Sequence, residues 1–99
     1  MPDATHATIA TFSMDPDRRD QQEDGLRTMI VPSVRSSRGF VSGTWTLDVA
    51  TNESVVLVTF ASATDAEAFA AGVRTNAPHQ AAVGIALQSI RVVEVHATA

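Results

Sequence analysis

Residues 54–61 read SVVLVTFA, an apolar run with no polar residue at every second place. Successive side chains of a strand leave opposite faces. Val55, Leu57 and Thr59 therefore point one way, and Val56, Val58 and Phe60 the other. A strand that is greasy on both faces belongs in a sheet covered on both sides. This requirement constrains the fold more than any other stretch of the chain.

The segment upstream supplies a partner strand. In FVSGTWTLD, residues 40–48, Val41, Gly43, Trp45 and Leu47 share one face, while Phe40, Ser42, Thr44 and Thr46 share the other. VATNE joins the two as a short turn, with Asn52 able to take a left-handed backbone. A first strand is read in ATIATF, where Ala7, Ile9 and Thr11 alternate with Thr8, Ala10 and Phe12. A last strand is read in QSIRVVEVHA, apolar on both faces.

Two helices separate these strands. The first begins at MDPDRRDQ, with Asp15 as N-cap and Pro16 at the first helical position. Leu26, Met29, Ile30 and Val34 form its apolar stripe. Pro32 lies inside that stripe and predicts a kink or break, and Gly39 predicts the stop. The second helix is capped by Ser62 or Thr64 and carries Ala66, Phe69, Ala70 and Val73 on one face. Asn76 and Pro78 are expected to end it. HQAAVGIAL reads equally as a third short helix or as a loop.

The order strand, helix, strand, strand, helix, strand is a ferredoxin-like βαββαβ unit of the α+β class, with a four-stranded antiparallel sheet. Residues 1–99 suit one domain. Both helices cover the same sheet face, so the other face is left open. A second copy of the chain is its simplest cover, which predicts a homodimer through sheet faces.

Composition excludes several classes of function. The chain has seven basic and eleven acidic residues, a formal charge of −4, and no basic run. Nucleic acid and anionic membrane surfaces are therefore poor partners. Without cysteine there is no thiolate chemistry, disulfide or sulfur-bound zinc. The first residues lack the basic and apolar regions of a signal peptide, and no stretch approaches the ~20 apolar residues of a membrane span. A cytoplasmic location is the expectation.

Few side chains carry chemistry. Trp45 offers a flat surface and one N–H donor to an aromatic ligand, or simply fills the core. His79 offers a base if it faces a pocket, or is a solvated loop residue in NAPHQAA. Arg91 in IRVVEV holds an anionic group if it faces a pocket, pairs with an acid across a dimer, or keeps its head in water at a sheet edge. His6 and His96 are expected at opposite ends of the first and last strands, too far apart to share a metal. No phosphate loop, metal motif or dinucleotide fingerprint is present, so neither cofactor nor metal is expected.

Three pieces resemble a known family. ATIATFSMDPDRRDQ runs from a strand into a capped helix. VPSVRSSRGFVSG carries a late proline and ends at Gly-Phe. VVLVTFASATDAEAFAAG passes from a strand through a short cap into a helix. Over residues 6 to 96 the chain resembles the dimeric α/β-barrel superfamily and, within it, the antibiotic-biosynthesis-monooxygenase-like (ABM-like) domains. The resemblance implies two sheets closing into a dimeric barrel, with a pocket between each sheet and its own helices. It also implies one of several activities, among them cofactor-free oxygenation of aromatic molecules, quinol oxygenation and haem degradation. The chain departs from the family's catalytic residues. Phe60 stands where many members have a strand-three tryptophan, and Gly72 lies near the place of a helix-two histidine. Strand one has no asparagine, and the chain has no tyrosine.

Two functional readings follow. In the first, a cofactor-free monooxygenase acts on a small aromatic or quinol-like molecule, with Trp45, Phe69 and Arg91 binding substrate and His79 as base. In the second, the chain is a non-catalytic small-molecule-binding or structural homodimer.

Overall fold

The structure is a computed structural model, and it describes residues 3–99. Four strands form one antiparallel sheet: β1 (His6–Met14), β2 (Phe40–Asp48), β3 (Glu53–Phe60) and β4 (Ile85–Glu94). Their spatial order is β2-β3-β1-β4. Between β1 and β2 a helical stretch over 16–35 runs as a 3₁₀ turn (Pro16–Arg18), α1 (Arg19–Gly25), a π turn (Leu26–Ile30) and α2 (Val31–Arg35). The long helix α3 (Ala63–Ala81) joins β3 to β4. This is the ferredoxin-like arrangement that the order of elements predicts.

Local chemistry sets most boundaries. Asp15 caps the first helical stretch, its Oδ1 accepting from the Asp17 N–H at 3.0 Å. Ser62, rather than Thr64, caps α3 by accepting the Asp65 N–H at 3.1 Å. Asn52 turns the β2–β3 hairpin at φ 59°, and Gly39 leaves the helical stretch at φ 76°.

Three expectations are corrected. The helical stretch does not break at Pro32. Instead it widens one turn earlier, where the Val31 N–H reaches the Leu26 carbonyl, five residues back. A proline ring clashes with the carbonyl four residues before it, and a π turn moves that carbonyl aside. Next, α3 runs through Asn76 and Pro78 to Ala81. Pro78 removes one backbone donor only, and the alanines around it favour helix. His79 therefore lies on a helix, not in a loop. Last, β1 and β4 are antiparallel with His6 opposite Glu94. His96 follows that pair by two residues, so both histidines lie at the same end of the sheet.

Register fixes the two sheet faces. Ala10, Val56 and Trp45 are neighbours in one row, and Thr8, Val58 and Gly43 in the next. A bulge at Val41 between the Phe40 and Ser42 pairs shifts the alternation, so Phe40 joins the Trp45 face, contrary to the strict period-two pattern. The core lies on this face, around the fully buried Val58, Phe60 and Ala66. The opposite face carries Ile9, Val55, Leu57, Arg91 and Val93, and no helix covers it. Leu57 is 41% exposed there and Val55 37%.

Candidate functional site

The helices do not close over the sheet. α3 lies on β4 and β1, while the helical stretch is fastened mainly at its ends. At its start the buried Gln22 donates its Nε2 hydrogens to the carbonyls of Val83 and Gly84, at 3.1 and 3.2 Å. Arg18 reaches the Ala82 carbonyl at 2.9 Å. At its far end Arg38 faces Asp65 at 3.7 Å. Between these fastenings, 26–34 lean over a gap.

That gap is a cavity of about 950 Å³. Its floor is the sheet face, with Thr8, Ala10, Phe12, Trp45, Val56 and Val58. One wall is the helical stretch through Leu26, Met29, Ile30 and Val34. The other is α3 through Phe69, Gly72 and Val73. The apolar stripe of the first helix is thus only partly packed: Val34 meets the core, Leu26 and Ile30 border the space half-buried, and Met29 is left 72% exposed. A cavity this large, concave and mostly apolar is the usual shape of a small-molecule site.

Trp45 sits on the floor, and two glycines shape the space around it. A Cβ on Gly43 would come 2.8 Å from Trp45 Cζ3 and 2.9 Å from Cη2, so the indole lies directly over Gly43. Phe40 flanks the same spot. Gly72 has open space where its side chain would be. The residue near the place of the family's helix-two histidine is thus a gap in the wall. Phe69 lines the cavity and tilts against Phe60, with ring centroids 5.1 Å apart. Phe60, near the place of the family's strand-three tryptophan, is fully buried core.

Four charged side chains line the cavity, none of them on its floor, and of these Asp65 is mostly buried. Arg19 and Glu23 form an ion pair at 3.2 Å near one opening, and Arg38 and Asp65 mark the other. The floor has the hydroxyls of Thr8 and Ser54. Ser54 donates to the Thr46 carbonyl at 2.7 Å, so its hydrogen is already committed.

The structure brings together two of the four sequence candidates. Trp45 and Phe69 line one cavity. Arg91 does not join them: it pairs with Ile9 on the helix-free face of the edge strand β4. Strand alternation forces this, because Ile90 and Val92 take the cavity side. His79 is exposed on the last turn of α3 and lies outside the cavity lining, although Asn76 and Gln80 are part of it. Nothing in the sequence signals the roles of Gln22 and the wide turn at 26–30. Gln22 sits in a polar run and reads as solvated surface until the α3–β4 turn is seen against it. Among the described residues, no three His, Cys, Asp or Glu side chains are placed to hold a metal ion.

No sequence-family profile matches the chain, and no curated protein matches it by sequence. Solved structures do. A candidate antibiotic biosynthesis monooxygenase from Deinococcus radiodurans superposes with TM-score 0.66 at 11% identity, covering 95% of this chain and 93% of that one. A monooxygenase from Streptomyces coelicolor, in complex with the ligand nanaomycin D, gives TM-score 0.62 at 15% identity, covering 97% and 89%. The fold is the ABM-like fold. A protein of unknown function from Nitrosomonas europaea shares it, with TM-score 0.67 at 18% identity over 100% and 96% of the two chains. At such identities the ABM-like likeness is one of backbone. What the cavity does must be argued from its own side chains.

Proposed function

We propose that this ABM-like domain is a homodimer whose cavity holds a flat, mostly apolar aromatic molecule. Its chemistry is cofactor-free oxygenation of a phenol- or quinol-like ring. One observation carries the reading: a cavity of about 950 Å³ is floored by an indole lying over a glycine and walled by an apolar stripe that is only partly packed. The Streptomyces coelicolor neighbour, a monooxygenase holding a ligand, supports it by analogy of fold.

The chemistry asks little of the protein. A deprotonated electron-rich ring gives its electrons to oxygen: a C–O bond forms at a ring carbon, the O–O bond breaks, the ring C–H becomes C=O so that the ring leaves as a quinone, and the second oxygen atom leaves as water with the two hydrogens the ring gives up. The protein supplies orientation and a water-poor site. Trp45 and Phe69 orient the ring. His79 is no base for this cavity, because it is not part of its lining. Asp65 and Glu23 at the rim are the carboxylates closest to that task.

The test is oxygen uptake across a panel of phenols and quinols. The reading expects uptake with at least one compound and a loss of tenfold or more in Trp45→Ala with the fold retained. Saturable binding across the panel with no uptake above the protein-free rate would favour the second reading, a non-catalytic binding module. The absence of any titratable side chain on the cavity floor favours that alternative.

A further inference from the structure

The helix-free sheet face carries very few charges, and their placement is self-complementary. Arg91 stands in the row of Ile9, Leu57 and Thr44. Glu53 and Asp48 stand in the row of Ser13. Every other arginine is elsewhere. Arg18, Arg19, Arg27 and Arg35 belong to the helical stretch beneath the other face. Arg38 faces Asp65, and Arg74 donates to the Ile90 carbonyl at 3.1 Å. Asp48 is occupied by its own turn, accepting from the backbone N–H of Ala50 at 3.0 Å. Among the described residues, neither Arg91 nor Glu53 has an ion-pair partner. Between them lie Ile9, Val55 and Leu57.

We infer that a second copy of this chain covers this face with Arg91 of each copy set against Glu53 of the other. The inference rests on the homodimer of the proposed function and adds its register. Geometry permits the pairing. Arg91 and Glu53 are two strands apart across β1 and four residues apart along it, or about 10 Å by about 13 Å at ordinary strand spacings. A two-fold axis lying in the interface exchanges two points only if it bisects the line between them at right angles. The midpoint of this line is Thr11 on β1. The axis therefore runs over Thr11, passing between Val55 and Leu57 on β3 and beside Ser89 on β4, whose hydroxyl bonds that of Thr11 at 2.7 Å. The same construction crosses the strands of the two sheets at about 75°, in the orthogonal rather than the aligned class of sheet packing.

The pairing answers two needs at once. An apolar patch gives adhesion without direction, whereas a charge facing its opposite selects one register and penalises the others. Arginine suits the role because its planar fork meets a carboxylate through two parallel hydrogen bonds. The closed ring of interactions occurs twice, once on each side of the axis.

The experiment is a charge swap read by sedimentation equilibrium. Wild type is compared with Arg91→Glu, Glu53→Arg and the double variant, with circular dichroism as the check on fold. Both positions are exposed in the isolated chain, so the monomer fold should survive each change. A wild-type dimer whose dissociation constant rises tenfold or more in each single variant, and recovers to within about threefold in the double variant, establishes the pair. A wild-type dimer indifferent to both single changes overturns the pair and leaves the sheet-face dimer standing. A wild type that stays monomeric at about 100 μM removes the dimer and the pair together, because a face of this kind should associate well below that concentration.

Discussion

Two glycines decide how much room this molecule keeps inside. Gly43 lets an indole lie flat on the sheet, since a methyl there would sit 2.8 Å from Trp45 Cζ3. Gly72 leaves a gap in the facing wall, where nothing stands within 4 Å of a built Cβ. The second feature gives a test in which stability and binding move in opposite directions. In Gly72→Leu the helix gains propensity worth about 0.5–1 kcal/mol, and the new side chain occupies the cavity. The melting temperature should rise by a few degrees, while the affinity for any cavity ligand falls tenfold or more. Thermal unfolding and ligand titration on the same sample read both quantities. A variant that is less stable would mean that the wall is already packed.

The helical stretch over 16–35 and α3 solve the same problem differently. α3 is a regular helix that seals β4 and β1 with small residues: Ala66 and Ala70 are buried against the sheet. It depends on its first turn, where Ser62 accepts the Asp65 N–H. Ser62→Ala should cost about 1 kcal/mol, seen as a melting temperature lower by about 4–8 °C, with the cavity unchanged. The 16–35 stretch holds one buried residue, Gln22, and spans the gap with a widened turn ahead of Pro32. Such elements were largely legible in the sequence. Asp15-Pro16, Gly39 and Asn52 mark real boundaries because each acts through its own backbone or its nearest neighbours. Signals that depend on contact misled. Pro78 reads as a terminator, but α3 tolerates one missing donor. Pro32 reads as a kink or a break, but the chain stays helical through it by way of a π turn just before. Val41 reads as part of a clean alternation, but a bulge moves Phe40 to the other face.

At the scale of the molecule, a four-stranded sheet has two apolar faces and only one set of helices. One face holds the cavity, and no helix covers the other. The doubly apolar β3 announced this division, because Val56 and Val58 are buried while Val55 and Leu57 are not. The cavity's place was implied by the family resemblance alone, and the residue pattern did not carry it. An apolar stripe such as Leu26, Ile30 and Val34 has the same pattern whether it meets side chains or space. The site candidates divided along the same line. Trp45 and Phe69 line the cavity because their strand and helix periods place them inward. Arg91 turned out to belong to the opposite face, and His79 to the outside of α3.

The proposed function requires Trp45 to floor a ligand site rather than only to fill the core it packs against. Its fluorescence tests this directly, because Trp45 is the only tryptophan in the chain. The protein should be titrated with flat phenols and quinols and, separately, with acrylamide. Acrylamide should quench the fluorescence, and at least one aromatic class should quench it saturably, with Gly72→Leu abolishing the latter. An indole inaccessible to acrylamide and indifferent to every ligand would contradict that requirement, and would make the gap under the helical stretch one that side chains fill in solution.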